Sequence, residues 1–369
     1  PSARLGEMSI SSRISRLAAI DGADHVLILR MEDIRWLTGF TGGTAQLLVR
    51  RSTHEAWLLV DGRYFERATD EIVSSRASVH IERVVPDVST DEMIARIVGT
   101  SSLAVDPTHV TAHFMTVLQG HCSVVHERNQ LDDLRRVKDD SEISLIASAA
   151  GIADNAFASL VSDGLFGKTE KQIRNRLDHL MREAGADDVA FDTIVATGPL
   201  GARPHHEPSD ATVEDGHGVV IDFGAMVHGY KSDMTRTIRV GAVSAEYQRM
   251  FELVIEAEAA GIASVTAGIS GSAVDAAARA VFLREGVDHE YVHGTGHGIG
   301  LYIHEQPILS PRCTAVLGVN EVVTVEPGLY RGGVGGVRIE DLVVVTGDSC
   351  RILTHTPKDL TCPRSPRTI

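Results

Sequence analysis

The order of apolar and polar positions divides the chain into two regimes. In the first, short apolar runs alternate with amphipathic stretches. His25–Leu29, Gln46–Val49, Ala56–Val60, Ser78–Val84, Leu103–Val105 and Cys122–His126 have the length and β-branched content of strands. Tyr64–Ile72, Asp91–Val98 and Val110–Leu118 have helical spacing. A small mixed α/β domain is expected. The passage HERNQLDDLRRVKDDSE then shows no apolar face until Ile143, which places a boundary near residue 133, with domains 1–133 and 134–369.

The second regime has longer helices. One is predicted over about 140–162, with Ile143, Ile146, Ala147, Ala150 and Ala153 near the 3.6-residue period. Another runs from Thr169 to about 184, opened by a capping pattern. A strand, Val189–Ala196, leads into the loop TGPLGARPHHEPSD and then into VVIDFGAMVHGYKSDMTRTIR. After residue 243 the plan repeats. Helices at about 244–266 and 272–285 precede the Gly/His-rich HGTGHGIGLYIHE. A buried strand, Val322–Val325, runs into Glu326, and a glycine-rich turn leads into Val337–Val345, carrying Glu340. Two αβ halves related by a pseudo-two-fold are expected.

Composition narrows the class of partner. A chain of 369 residues with average apolar content and a mean hydropathy of +0.01 reads as a soluble globular protein of two domains. A formal charge of -15 argues against nucleic acid or an anionic membrane as the main partner. Cys122, Cys313, Cys350 and Cys362 lie far apart, which offers no disulfide framework and no thiolate zinc site. No apolar run approaches the ~18 residues of a membrane span. The opening PSARLGEMSISSRISRLAAI is weakly amphipathic and has no signal-peptide core, although the chain begins at Pro1 and a leader before it stays open. The expected compartment is the cytoplasm.

The chemistry is concentrated in the repeated acid-bearing units. Asp222 and Asp233 are flanked by Val, Ile, Phe and Met, where an unpaired carboxylate costs several kcal/mol unless it meets a cation. A lone aspartate at a strand end is ordinarily a cap, and a lone histidine among glycines ordinarily belongs to the loop. Asp222, Asp233, His297, Glu326 and Glu340 taken together are harder to dismiss. Four carboxylates and an imidazole suit Mn²⁺, Co²⁺, Zn²⁺ or Fe²⁺, and four negative charges balance two divalent ions. In this reading Asp222 chelates one ion, His297 binds the other, and Asp233 and Glu340 bridge. A water held between two Lewis acids becomes a hydroxide near neutral pH, which points to hydrolysis. His205, His206, His293 and His304 lie in the same Gly/Pro-rich loops and can donate to a scissile carbonyl. Glu326 can pass a proton to the leaving nitrogen. Arg338 shares a strand face with Glu340 and can hold the carboxylates or a substrate carboxylate. Thr235 is in phase with Asp233 as a supporting donor.

The segments IDFGAMVHGYKSDMTRT, HGTGHGIGLYIHEQP, VEPGLY and GGVRIEDLVVV resemble the metallopeptidases of pita-bread fold, and most of all the proline-specific branch of aminopeptidase P and prolidase. DIRWLTGFTGG and VDGRYFERA resemble the creatinase-type N-terminal domain of that branch, and RRVKDDSEISLI its junction. The resemblance implies an α+β chain with a pita-bread catalytic domain behind a smaller mixed α/β domain. It implies the metal ligands Asp222, Asp233, His297, Glu326 and Glu340, with two divalent ions, Mn²⁺ foremost and Co²⁺ or Zn²⁺ as alternatives. His205 matches the substrate-side histidine, His293 and His304 match the histidines flanking the ligand histidine, and Tyr330 and Arg338 fall at matching positions. The implied reaction is hydrolysis of the bond before proline in dipeptides or short peptides, by a homodimer. A dipeptidase is the leading expectation and an Xaa-Pro aminopeptidase the alternative. Methionine aminopeptidase normally lacks the first domain, creatinase departs from the ligand set, and a non-catalytic binding module would have lost ligands that are present here.

Overall fold

The computed structural model describes residues 10–75, 78–128 and 130–363. Residues 1–9, the first part of the opening stretch read as weakly amphipathic, lie outside them. Two compact units divide the chain, Pro1–Arg135 and Arg136–Ile369.

The first unit contains helices α1 (Ile10–Ala18), α2 (Met31–Thr38), α3 (Phe65–Ser75), α4 (Thr90–Val98), α5 (Ala112–His121) and α6 (Leu131–Arg136), the last reaching the division. Its strands are β1 (His25–Ile28), β2 (Gln46–Arg50), β3 (Ala56–Asp61), β4 (Val79–Val84), β5 (Ser102–Val105) and β6 (Ser123–His126). They form one mixed sheet in the order β4-β3-β2-β1-β5-β6, antiparallel around β2 and parallel elsewhere. All six strands fall where the apolar runs lie. Helix α2 was not expected, because MEDIRWLT carries acids and an arginine. Asp33 is nonetheless wholly buried, paired with Arg30 and Arg135. Helix α6 forms within the passage read as turn-prone, where Leu131 is buried and Arg135 joins that ion pair.

The second unit repeats one plan. Its first half has α7 (Asp140–Ser162), α8 (Glu170–Glu183), β7 (Asp188–Val189), β8 (Ile194–Thr197), a 3-10 turn at Gly198–Ala202, β9 (Gly218–Phe223), β10 (Ala225–Val227), β11 (Tyr230–Lys231) and β12 (Met234–Val240). Its second half has α9 (Ala245–Ser264), α10 (Gly271–Arg284), β13 (Gly296–Gly298), β14 (Glu305–Leu309), β15 (Val322–Val325), β16 (Gly328–Arg331), β17 (Gly335–Arg338), β18 (Asp341–Val345), β19 (Cys350–Ile352) and β20 (Leu360–Cys362). Helices α7 and α8 cover the sheet β20-β12-β9-β8 through a core that includes Ile173, Leu177, Val219 and Ile221, where Phe157 stacks on Phe223 with ring centroids 5.0 Å apart. Val274 of α10 and Val265, the extended residue that caps the end of α9, share a core with Val323, Val325, Val343 and Val345 of the sheet β14-β13-β15-β18-β19.

By length and composition α7 is apolar enough to cross a membrane, which corrects the expectation that no such run exists. In the fold its Ile146, Ala149, Ala150, Ala153, Phe157 and Leu160 are buried core residues, and a reciprocal cap between Asp139 and Glu142 starts it. Two expected strands are each broken in two. Val189–Ala196 splits into β7 and β8. Val337–Val345 splits into β17 and β18 around Ile339 and Glu340.

Candidate metal centre

In both hairpins an acid sits where the chain changes strand partner. Asp222 lies near the end of β9, and after Gly224 the chain enters β10, which pairs with β7. Asp233 lies between β11, paired with β10, and β12, paired with β9. Glu326 follows β15, and β16 then pairs with β17. Glu340 falls where the chain leaves β16 (Gly328 opposite Arg338) for β15 (Val325 opposite Asp341). Asp233, Glu326 and Glu340 have no fixed place in either ladder, so their side chains can turn into the space between sheets, whereas Asp222 keeps its register opposite Thr235 and Ile194. His297 reaches the same space from the short β13. That strand lies so close to β15 that a Cβ on Gly296 would stand 2.0 Å from the Thr324 carbonyl oxygen.

Of the residues proposed for metal binding or catalysis, all but His206 line one cavity of about 330 Å³, with Phe191, Ile194, Ile303 and Ile308 on its apolar wall. Ligand atoms of Asp233, His297 and Glu340 lie within 4.8 Å of one another. His297 Nε2 stands 3.6 Å from Asp233 Oδ2 and 3.4 Å from Glu326 Oε1. Its Nδ1 donates to the Gly298 carbonyl at 3.0 Å, so Nε2 carries the lone pair. Burial lowers the His297 pKa to about 4, keeping the ring neutral. A lone pair facing two carboxylates is repulsive unless a cation lies between.

The acids carry the same signature. Burial first, then the charges of Glu340, Asp222 and Glu326, push the Asp233 carboxyl well above its usual range, with Arg338 opposing. Burial, Glu326 and Asp222 do the same to Glu340. Glu326 is pushed up to about 8, chiefly by burial. Asp222 Oδ1 and Glu340 Oε1 are buried without a hydrogen-bond partner among the described residues. Their other oxygens are held, Asp222 Oδ2 by Arg338 Nη2 at 2.7 Å and Glu340 Oε2 by Thr235 Oγ1 at 2.7 Å. One oxygen held and one left bare is how a ligating carboxylate is prepared.

The supporting groups form a chain. Arg338 Nε donates to Thr235 Oγ1 at 3.0 Å and its Nη1 to Tyr330 Oη at 2.9 Å. His293 Nδ1 donates to the Gly294 carbonyl at 2.7 Å, so its Nε2 accepts from the Tyr330 hydroxyl at 2.8 Å. Both nitrogens of His293 are therefore occupied. The histidines that line the cavity with no ring hydrogen bond among the described residues are His205 and His304. His304 meets the His297 ring edge to face at 4.4 Å. His206 is elsewhere: it is buried and donates to Glu170 at 2.8 Å. Sequence reasoning passed over Glu170, which reads as an ordinary first-turn acid of α8. It also passed over Thr324, whose hydroxyl accepts from His297 N at 3.1 Å and donates to Glu326 at 3.3 Å. Its spacing two residues from Glu326 on a strand was the available signal.

Fold and site together define a metallohydrolase. The chain belongs to metallopeptidase family M24, whose model matches residues 144–347, and residues 12–137 match the creatinase/prolidase N-terminal domain. It is 36% identical to an Xaa-Pro dipeptidase of Pyrococcus furiosus over 91% of this chain and 95% of that one. Among solved structures it is similar to an Xaa-Pro dipeptidase from Bacillus anthracis (TM-score 0.91, 34% identity, covering 96% of this chain and 99% of that one). It is also similar to an X-Pro aminopeptidase from Thermotoga maritima MSB8 (TM-score 0.86, 33% identity, 96% and 99%). Family membership implies divalent metal ions, and the bare carboxylate oxygens and the inward lone pair of His297 fit them.

Proposed function

We propose that this metallopeptidase hydrolyses the peptide bond preceding proline in Xaa-Pro dipeptides, working with two divalent ions, Mn²⁺ foremost, as a cytoplasmic homodimer. The observation that carries the metal-dependent part is the convergence of Asp233, His297 and Glu340 around one point. The proline preference is supported by relatives, named Xaa-Pro dipeptidases, that align over nearly the whole chain.

Asp222, Asp233, His297, Glu326 and Glu340 would hold the ions, which when bound supply Lewis acidity and lower the pKa of water. His205 and His304 would donate to the scissile carbonyl as it becomes an oxyanion. Glu326 would take a proton from the attacking water and deliver it to the departing proline nitrogen. Arg338 holds Asp222 Oδ2 at 2.7 Å and so aims the carboxylate. A bond to proline offers no N–H for strand-like recognition, which suits a pocket that grips the substrate by its carbonyl and its ring.

A second reading, an Xaa-Pro aminopeptidase, has its own support. Arg338 is the one Lys or Arg among the described lining residues, and it is committed to Asp222, Thr235 and Tyr330. A dipeptidase needs a partner for the substrate's free carboxylate. The test is a product assay on Ala-Pro beside Ala-Pro-Ala after chelation and readdition of Mn²⁺ or Co²⁺. Release of proline from Ala-Pro alone is expected. Preferential cleavage of the tripeptide selects the aminopeptidase, and cleavage of neither defeats both.

A further inference from the structure

We propose that the buried pair Glu170–His206 is a latch that aims His205 at the substrate. The inference rests on the reading above, in which His205 meets the scissile carbonyl.

The loop from Thr197 to Ser209 is closed at its base by one carboxylate. Glu170 Oε1 accepts the Thr197 backbone N–H at 2.7 Å. Its Oε2 accepts the Ser209 N–H at 2.8 Å, the Ser209 hydroxyl at 2.6 Å and His206 Nε2 at 2.8 Å. Glu170 is wholly buried and His206 nearly so. The carboxylate stands on the first residue of α8, where the helix dipole favours negative charge.

On its other side the loop rests on β17. Gly201 approaches Gly336 so closely that a Cβ on Gly336 would stand 1.9 Å from the Gly201 carbonyl oxygen. Arg338 Nη1 donates to the Pro204 carbonyl at 3.4 Å. His205 is thus bracketed. Its preceding neighbour is held by the arginine that also holds Asp222, and its following neighbour by Glu170. His205 itself lines the cavity with no hydrogen bond of its own among the described residues. The backbone constraints on either side are what set its direction. Glu170 and His206 touch neither the cavity nor the candidate ligands, so their part is positioning.

The test is a double-mutant cycle on the metal-loaded enzyme. His206→Leu removes the donor, whereas His206→Gln keeps an amide N–H that can reach Glu170. His206→Leu should lower kcat/KM roughly 10- to 100-fold, mostly through kcat, with His206→Gln within about 3-fold of wild type. In a His205→Ala background the further loss from His206→Leu should be under about 2-fold, because the group being aimed is gone. Glu170→Gln, read the same way, guards against a misfolded leucine variant. Bound metal, measured by elemental analysis, should not change. Equal losses on both backgrounds overturn the latch, as does metal loss in His206→Leu or full activity in His205→Ala. Running the cycle on Ala-Ala as well as Ala-Pro separates the two claims. Activity confined to Ala-Ala overturns the proline reading, whereas additivity on whichever dipeptide is cleaved overturns the latch.

Discussion

His297 Nε2 faces two carboxylates with its lone pair, and Asp222 and Glu340 each leave one buried oxygen bare. At the scale of single residues this is a site stable only when a cation balances it. Asp233 is the clearest case, being nearly wholly buried and, among the described residues, accepting no side-chain hydrogen bond, with the lone pair of His297 Nε2 3.6 Å away. Asp233→Asn keeps the shape and removes the charge. The kcat with saturating Mn²⁺ should fall by more than about 100-fold, beyond the 10- to 100-fold typical of residues that only support ligands. Retention of most of the rate would show that Asp233 is not a ligand. Arg338 shows why residue type matters here. Its planar fork reaches Asp222, Thr235 and Tyr330 at once, which the single ammonium of a lysine cannot do.

At the scale of elements, the site exists because β17 and β18 are two strands rather than one. Arg236, wholly buried on β12, stabilises the break. It donates to the Glu340 and Thr235 carbonyls and to Asp341 Oδ1, and so satisfies the backbone that Glu340's inward turn leaves exposed. Asp341 also receives Lys358, and Lys358 donates to both oxygens of Glu258 on α9 at 2.6 and 2.7 Å. Burial, with the Asp341 charge beside it, pushes the Glu258 carboxyl up to about 7, against 4.5 when free. The folded state therefore binds this proton more tightly than the unfolded chain does. The group's contribution to stability is complete below pH 4.5 and is lost as pH rises through about 7. Glu258→Gln cannot titrate. Its melting temperature should fall less between pH 5 and pH 8 than that of wild type, as scanning calorimetry in fixed metal would show. Parallel pH curves for the two proteins would refute the assignment.

At the scale of the whole molecule, the duplicated halves each deliver two acids to one cavity, so the catalytic unit folds around a charge imbalance. Metal binding and folding stability are then linked. At a metal concentration 100-fold above Kd each ion contributes about 2.7 kcal/mol and the two together about 5 kcal/mol, worth roughly 10–20 °C in a unit of this size. Chelation should lower the melting temperature by about that much, and Mn²⁺ should restore it. An unchanged melting point would mean that the acids are not held together without metal. The first unit has its own sheet and core, with Leu48, Leu59, Ile94 and Leu103 among its buried residues.

The linear chain by itself determined the strands of the first unit, the four long helices of the second, and the acids and histidines that converge. Those depend on local periodicity and on the cost of placing charge among β-branched residues, and both can be read from neighbours in sequence. Helices α2 and α6 escaped that reading because their buried charges, Asp33 and Arg135, are neutralised by partners about a hundred residues apart. The roles of individual histidines were likewise decided only in three dimensions. His293 is spent on Tyr330 and His206 on Glu170, while His205 and His304 face the cavity. A hydrogen bond depends on which groups the fold brings within 3 Å, and nothing in the local pattern of PHHEPSD separates a histidine that meets the cavity from its neighbour that anchors the loop.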